Sequence, residues 1–527
     1  MSGWQERRWG HISGSGLGKT KGNKGGGQGG GGGRGGGMRR GRGRGGGPNL
    51  GPVVEQHTVI AESKNTIDFT SISGVPMGDF AFVTMFIDGL TLIGGGSIAG
   101  LVMQLSTDGG STFETAGGYY KNVITSTGST TLSNDSHALA YNGAGPYDLS
   151  TFISDMNQPC PTMIQNQQLV FGDGTPSRQR TMTTVAEAHD AIRLTLDINS
   201  GTPTFSSGTV YLVGYRTKVG SLQTRDFTTS PGTSWVVNIP AGHTIASIYM
   251  EDVALSASGA VRVRPSVGGT PVSGFRAYNF DSASNLVSEP PGMFSGSGVG
   301  GIYDYISLWN LNVGAPLTFF QQQFVDSAEA QVRAGMRKAA TNYSQLYFDS
   351  GTGLTIDEGT IYVQTYEAKA TILLNEDFSA TPASSFDVTG LSNTNANAII
   401  LSSFDLTLAG SSGIELRVML DGVQDNGSTD YLNTSISSTG DNVSELSKFL
   451  MSQIANTIQG LLGMFVGLPQ PSITQMVHSN LFYEDTSNLP MVAGVRQESQ
   501  VEDGFRLFTE PSNNIDGGTI YGVGYQL

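Results

Sequence analysis

One phrase recurs three times along the chain: SGTVYLVGYR at 207–216, EGTIYVQTYE at 358–367 and GGTIYGVGYQ at 517–526. Gly208, Gly359 and Gly518 stand 151 and 159 residues apart. After each glycine comes Thr, then apolar residues on alternate positions: Val210/Leu212, Ile361/Val363 and Ile520/Gly522. Period-two alternation rich in β-branched and aromatic residues marks a half-buried strand. A strand repeated at this interval counts modules. The interval lies far above the 20–50 residues of a stacked solenoid, so each copy must close its own core.

The repeat extends backwards. AIRLTLD (191–197), SQLYFDS (344–350) and GFRLFTE (504–510) precede the phrase across turns rich in Gly, Asn and Ser. Further upstream, MFIDGLTLIGGGSIAGLVMQL (85–105), IYMEDVALSASGAVRVRPS (248–266) and LSSFDLTLAGSSGIELRVML (401–420) share a plan. An apolar strand reaches an acid (Asp88, Asp252, Asp405), then a short strand, a small-residue turn and another strand. These matches divide the chain into a segment 1–52 and modules at 53–220, 221–369 and 370–527. Only 14% of residues are charged and 74 are Gly, which disfavours long helices and suits short strands joined by tight turns. The expected fold is all-β: three tandem β-sandwich, jelly-roll-like modules after an N-terminal arm.

The third module carries an apparent exception. In NVSELSKFLMSQIANTIQGLLGMFVG (442–467), Leu446, Phe449, Leu450, Ile454 and Ile458 fall on one stripe at helical spacing, with Asn442 and Glu445 placed as a capping box. The pattern predicts a helical insertion. Its stripe would cover a sheet edge or form a contact between subunits.

The net charge of −15 conceals a split. Residues 1–52 hold ten Lys and Arg against Glu6 alone, so the arm is +9 and the remainder −24. Its glycine-rich stretch cannot bury a core and reads as a disordered tether; about 48 such residues span roughly 40 Å root-mean-square. Arg34, Arg39, Arg40, Arg42 and Arg44 suit an anionic partner, either nucleic acid or an acidic protein surface. No aromatic is interleaved in 31–47, so the binding expected is electrostatic and blind to sequence. The tip differs. Trp4, Arg7, Arg8 and Trp9 combine the residue types most common at binding hot spots, which predicts an anchor peptide docking on another protein.

Catalytic and metal-binding motifs are not evident. The six histidines have no second His or Cys at ligand spacing, and GSGLGKT (14–20) lacks the first Gly of a phosphate loop. Asp88, Asp252 and Asp405 read as strand-end residues, and STDGGST (106–112) and FGDGTPS (171–177) as turns in which a bound Ca²⁺ is left open. No cofactor and no metal are expected. Cys160 is the single cysteine, which excludes an intrachain disulfide and suits assembly in a reducing cytoplasm. Neither a secretory h-region nor an apolar run of spanning length is present, so no membrane insertion is expected.

Tandem modules that close on G-T-I-Y-hydrophobic-x-Y, repeated over nearly all of 59–527, resemble the β-sandwich modules of tail fibres and appendages in tailed-bacteriophage virions. The resemblance implies a non-enzymatic virion protein assembled in the host cytoplasm, homo-oligomeric and often trimeric. Such a protein contacts other virion proteins, and here the N-terminal arm would attach it to the particle. Two alternatives stand beside it. One is a jelly-roll capsid protein whose basic arm contacts packaged genome. The other is a carbohydrate-binding appendage that recognises a host surface glycan.

Overall fold

The computed structural model describes residues 52–527 apart from 61–63, 116, 126–127, 136–138, 143–145, 169–177, 281–284, 289–291, 299–300, 326–330, 421–422, 425–430, 438–439, 447, 452–454, 468–474, 483–490, 497–501 and 510–512. Their secondary structure is almost entirely antiparallel strand, with one α-helical turn at Leu391–Thr394 and one 3-10 turn at Met77–Asp79.

Three sandwiches follow one another, each of one eight-stranded sheet and one smaller sheet. In module 1 the strands Val53–Ile60, Thr204–Tyr215, Phe82–Ile93 and Tyr147–Ser154 lie side by side in that order. Opposite them run Thr66–Phe69, Ala191–Gly201, Gly96–Ser106 and Leu139–Asn142. Counted along the chain, these eight strands are ordered 1-8-3-6 and 2-7-4-5, the two interlocked Greek keys of a jelly roll. Modules 2 and 3 repeat the path, with Ile356–Glu367 and Ile515–Gln526 as the eighth strand. Strand Lys218–Asp226 pairs with Ile356–Glu367, so module 2 also takes in 218–220.

Two hairpins lengthen the first sheet of every module beyond the basic eight strands. In module 1 they are Tyr119–Thr125 with Gly128–Asp135, and Met163–Gln168 with Arg178–Thr183. Module 2 adds Phe275–Phe280 with Asn285–Ser288, and Pro316–Val325 with Gln331–Ala340.

Every sandwich has a private core. Val83, Met85, Ile87, Val210 and Leu212 meet Leu101, Met103, Ile192 and Leu194 in module 1. Corresponding cores form around Ile361 and Val363 in module 2 and around Ile520 in module 3. A further core is shared by all three. It contains Phe82, Phe152, Val213 and Tyr215; Ile245, Trp309, Tyr366 and Ala368; and Ala398, Met464, Val523 and Tyr525. Each fully buried large side chain there contributes about 1.5–3 kcal/mol of apolar transfer, so the modules form one body rather than beads on a string.

This two-sided burial corrects the helix expected at 442–467. The stretch is three strands, Gly440–Leu446, Phe449–Leu450 and Ala455–Val466. Ala455–Val466 lies inside the eight-stranded sheet between Ala398–Ser412 and Gln475–Phe482. Leu461 and Phe465 face the private core of module 3, while Leu462, Met464 and Val466 face the shared core. A strand apolar on both faces loses its alternation, and its closely spaced apolar residues then imitate a helical stripe.

Candidate functional site at the junction of the three modules

The closing strand of each module delivers its last tyrosine to the shared core. Tyr215, Tyr366 and Tyr525 are all completely buried. The backbone around them repeats: their carbonyls accept hydrogen bonds from the amides of Ala81 (3.0 Å), Thr244 (3.0 Å) and Asn397 (2.7 Å) respectively.

Opposite the tyrosines stand three residues of different chemistry in one conformation. Asp155, Asn310 and Gly467 each follow the sixth jelly-roll strand and have φ of 63°, 68° and 95°. Aspartate, asparagine and glycine tolerate this left-handed region best. Each reaches the next module. Asp155 of module 1 accepts hydrogen bonds from the hydroxyls of Tyr366 and, at 2.6 Å, Tyr249 in module 2. Asn310 of module 2 donates its backbone N–H to the Tyr525 hydroxyl of module 3 at 2.8 Å and accepts that hydroxyl at Oδ1. Gly467 of module 3 offers only its backbone to Tyr215 of module 1, and that hydroxyl makes no hydrogen bond of good geometry. The three contacts run 1 to 2, 2 to 3 and 3 to 1, which closes a ring within one chain.

Burial sets the protonation of this ring. It raises the Asp155 pKa against the opposing effect of the tyrosine donors. It also holds Tyr249 and Tyr366 well above the usual phenol range, with Asp155 adding to the shift. Tyr215 is pushed up to about 12, and Tyr525 is raised as well. At neutral pH the phenols therefore keep their protons and act as donors.

Around the ring the seams differ. Between modules 1 and 2, Cys160, Met163 and Met182 pack on Tyr249, Tyr305 and Phe324. Tyr120 lies over Tyr303 with ring centroids 4.0 Å apart, and Ser154 Oγ lies 3.1 Å from the Tyr305 hydroxyl. Cys160 is buried and its thiol is pushed up by desolvation, then by Asp155, which suits a packing residue. Between modules 2 and 3, Arg276 reaches Asp405 at 2.8 Å.

The repeated glycine also acquires a role. Gly208, Gly359 and Gly518 have φ of 126°, 86° and 87°. A Cβ there would come within 2.6, 2.3 and 2.5 Å of backbone atoms in Leu90, Asp252 and Asp405. The third strand bulges toward the glycine at that point. Asp252 and Asp405 sit on the bulge with φ of 52° and 50°, but in module 1 the matching residue is Gly89, at 57°. The common element is thus a left-handed bulge residue, and Asp88 lies one position before it. The bulge gives the paired Asp and Gly a structural purpose without any chemistry.

The remaining expected sites separate into two groups. Trp4, Arg7, Arg8, Trp9, Arg34, Arg39, Arg40, Arg42 and Arg44 lie outside the described residues. The five-residue contact stripe does not exist as one face. Leu446, Leu450 and Ile458 stand on three different strands, Phe449 is completely buried in the core of module 3, and Ile454 is outside the described residues. The loop 106–112 is a side-chain-stapled turn. Asp108 accepts from the Thr112 amide (2.8 Å) and hydroxyl (2.7 Å) and from Ser106 (2.8 Å), which draws its carboxyl down to about 2. Among the described residues no group of three His, Cys, Asp or Glu could hold a metal. No described helix is long and apolar enough to cross a membrane.

One arrangement has no counterpart among the sequence motifs. His189 bridges Glu114 Oε1 (2.9 Å) and Thr162 Oγ1 (2.9 Å), an acid–imidazole–hydroxyl chain. Such a chain resembles nucleophile activation. His189 and Thr162 are completely buried, however, so the hydroxyl is closed to a substrate and the chain ties the 156–162 loop to the sandwich.

No family model and no curated protein matches this chain. Among solved structures, a fragment of extended synaptotagmin 2 that comprises its SMP domain and two C2 domains aligns with 80% of this chain and 90% of its own at 8% identity. Its TM-score of 0.11 bears on neither fold nor function.

Proposed function

We propose that the chain is a structural subunit of a virion shell in which one polypeptide supplies the threefold cluster that three identical jelly-roll chains would otherwise form. The observation that carries this reading is the closed ring: three jelly rolls sharing one core, with corner contacts running head to tail through Asp155, Asn310 and Gly467. Jelly rolls are the recurrent unit of viral shells. The +9 arm supports the same reading, because a shell protein must offset the charge of packaged nucleic acid. A fibre wound from three chains has less support, since the threefold closure is met within one chain.

The test is expression of the full chain followed by electron microscopy and measurement of nuclease-resistant nucleic acid. Closed particles containing nucleic acid are expected. Replacing Arg34, Arg39, Arg40, Arg42 and Arg44 by Ala should leave particles that are empty or fewer. Rod-shaped assemblies, or retention on host glycans by a chain that forms no particle, would select the appendage readings. A monomer that binds no nucleic acid at low salt would overturn the proposal.

A further inference from the structure

We propose that Tyr120 and Tyr303 form a modification site: oxidised together, they couple into a dityrosine bond that joins module 1 to module 2 covalently. Tyr120 stands on strand Tyr119–Thr125 and Tyr303 on strand Ile302–Trp309. Their ring centroids lie 4.0 Å apart, with the planes inclined by 31°. Rings this close are in van der Waals contact. Cross-strand neighbours hold both in place, Met182 beside Tyr120 and Phe324 beside Tyr303. Each ring is half-buried against the sulfur and aromatic side chains of the seam and keeps part of its surface in solvent. A small oxidant can therefore reach the pair.

The hydroxyls complete the geometry. The Tyr303 hydroxyl meets both the Tyr120 hydroxyl and the Asp252 carboxylate, so it can donate to the acid and accept from Tyr120. With the hydroxyl ends together, the ortho ring carbons beside them lie against each other, and those carbons carry much of the spin of a phenoxyl radical. Burial, then Tyr120 and Asp252, keep the Tyr303 phenol protonated, so removing an electron must also remove the proton. Asp252 is placed to accept it. The oxidant is hydrogen peroxide acting through a haem peroxidase. It takes one electron and one proton from each tyrosine and is reduced to two waters. The two radicals join through one ortho carbon of each ring. Each ring then transfers its displaced ortho hydrogen to its own oxygen and is a phenol again, so the pair has lost two hydrogen atoms in all.

The internal repeat shows what this place holds in the next seam. By strand register Arg276 of module 2 takes the position of Tyr120, and each stands opposite a methionine, Met336 or Met182. Arg276 crosses to Asp405, the counterpart of Asp252 on the bulge of module 3. Counting back equally from Asn310 and Gly467, the counterpart of Tyr303 is Gly460. The seam between modules 2 and 3 is thus joined there by an ion pair, which forms and breaks freely. The seam between modules 1 and 2 sets a tyrosine on each side of the same spot instead. The fold does not need two stacked phenols there, and the departure from the repeat marks a local role.

The experiment oxidises the dilute full chain with hydrogen peroxide and a haem peroxidase, then reads dityrosine fluorescence and maps joined peptides by mass spectrometry. A joined pair holding Tyr120 and Tyr303 is expected, in a chain lighter by two hydrogen atoms. That chain should also run faster on a denaturing gel and melt at a higher temperature, because the bond closes a loop in the unfolded state. Tyr120→Phe and Tyr303→Phe keep the stacked rings but lack the phenolic hydrogen, and each should lose both the joined peptide and the gel shift. Fluorescence and gel shift unchanged in either variant would overturn the proposal. Oxidation confined to Cys160, Met163 and Met182, with no tyrosines joined, would do the same. So would tyrosine links found only in covalent dimers, with a yield that grows with chain concentration. Should a variant fail to fold, the peptide map of the natural chain decides the matter by itself.

Discussion

Replacing Gly359 by Ala isolates the reason for the repeated glycine. A residue other than glycine at φ 86° costs about 1–2 kcal/mol from its own backbone. The added Cβ would lie 2.3 Å from the Asp252 carbonyl oxygen and 2.6 Å from that of Glu251, and both belong to the strand paired with it. Neither can rotate away, so the strands must part, at about 1–3 kcal/mol by analogy with overpacked cores. Together the expected loss is about 2–5 kcal/mol. Gly314 in the same module is the control. Its φ is 71° and no atom lies within 4 Å of its ideal Cβ, so Gly314→Ala should lose only about 1–2 kcal/mol. Both variants would be compared by thermal melting and by limited proteolysis, because three modules need not unfold in one step. Equal losses in the two variants would refute the argument that close approach, rather than φ alone, fixes glycine in this phrase.

Other perturbations probe the ring and its supports. Asp155 and Asp148 both have raised folded-state pKa values, the second at about 6, with burial the leading cause in each. The contribution of these two carboxyls to stability should therefore be greatest below the unfolded carboxylate range near pH 4 and fall as pH rises through the folded values; a melting series from pH 4 to 8 checks the sign. Asp155→Asn, which copies the neutral side chain of Asn310, should flatten part of that slope. Tyr525→Phe removes a hydroxyl that both accepts from and donates to Asn310 and should cost about 2–3 kcal/mol in chemical denaturation, whereas Tyr215→Phe should cost less than about 1 kcal/mol. Glu502→Ala removes the carboxylate that lies 3.0 Å from the completely buried Arg496 and should cost about 3–5 kcal/mol by the same assay. Cys160 should react with a thiol reagent only as fast as the native chain opens, so labelling and unfolding rates should coincide.

The strands that bury one face on a private core were legible because alternation survives there, as in Val210/Leu212 and Ile361/Val363. Ala455–Val466 imitates a helix because its second face is buried by other modules, a fact no local pattern records. The register of the acids slips by one in module 1 for a related reason. What the modules share is a backbone conformation, which Gly89 meets as well as Asp252 does. The ring was hidden for the same cause, because an acid, an amide and a glycine share no side chain. A faint signal exists: in ISDMNQP, LWNLNVGAP and FVGLPQP a left-handed-tolerant residue ends an apolar strand shortly before a proline. Jelly-roll-like sandwiches were legible as a class, but the order of strands within each sheet was not, because the added hairpin strands Tyr119–Thr125, Gly128–Asp135, Met163–Gln168 and Arg178–Thr183 break the simple count of eight.

Tethering three jelly rolls in one chain changes how the cluster answers to dilution and to mutation. Only one residue, Ala368, lies between strand Ile356–Glu367 and strand Lys369–Asp377, so the second and third modules meet at an effective concentration no separate chains would reach. Ring closure is then independent of how much protein is made. A substitution in a homotrimer strikes every seam together, whereas here each seam can change alone. One corner therefore carries a titratable acid, another a neutral amide and the third bare backbone.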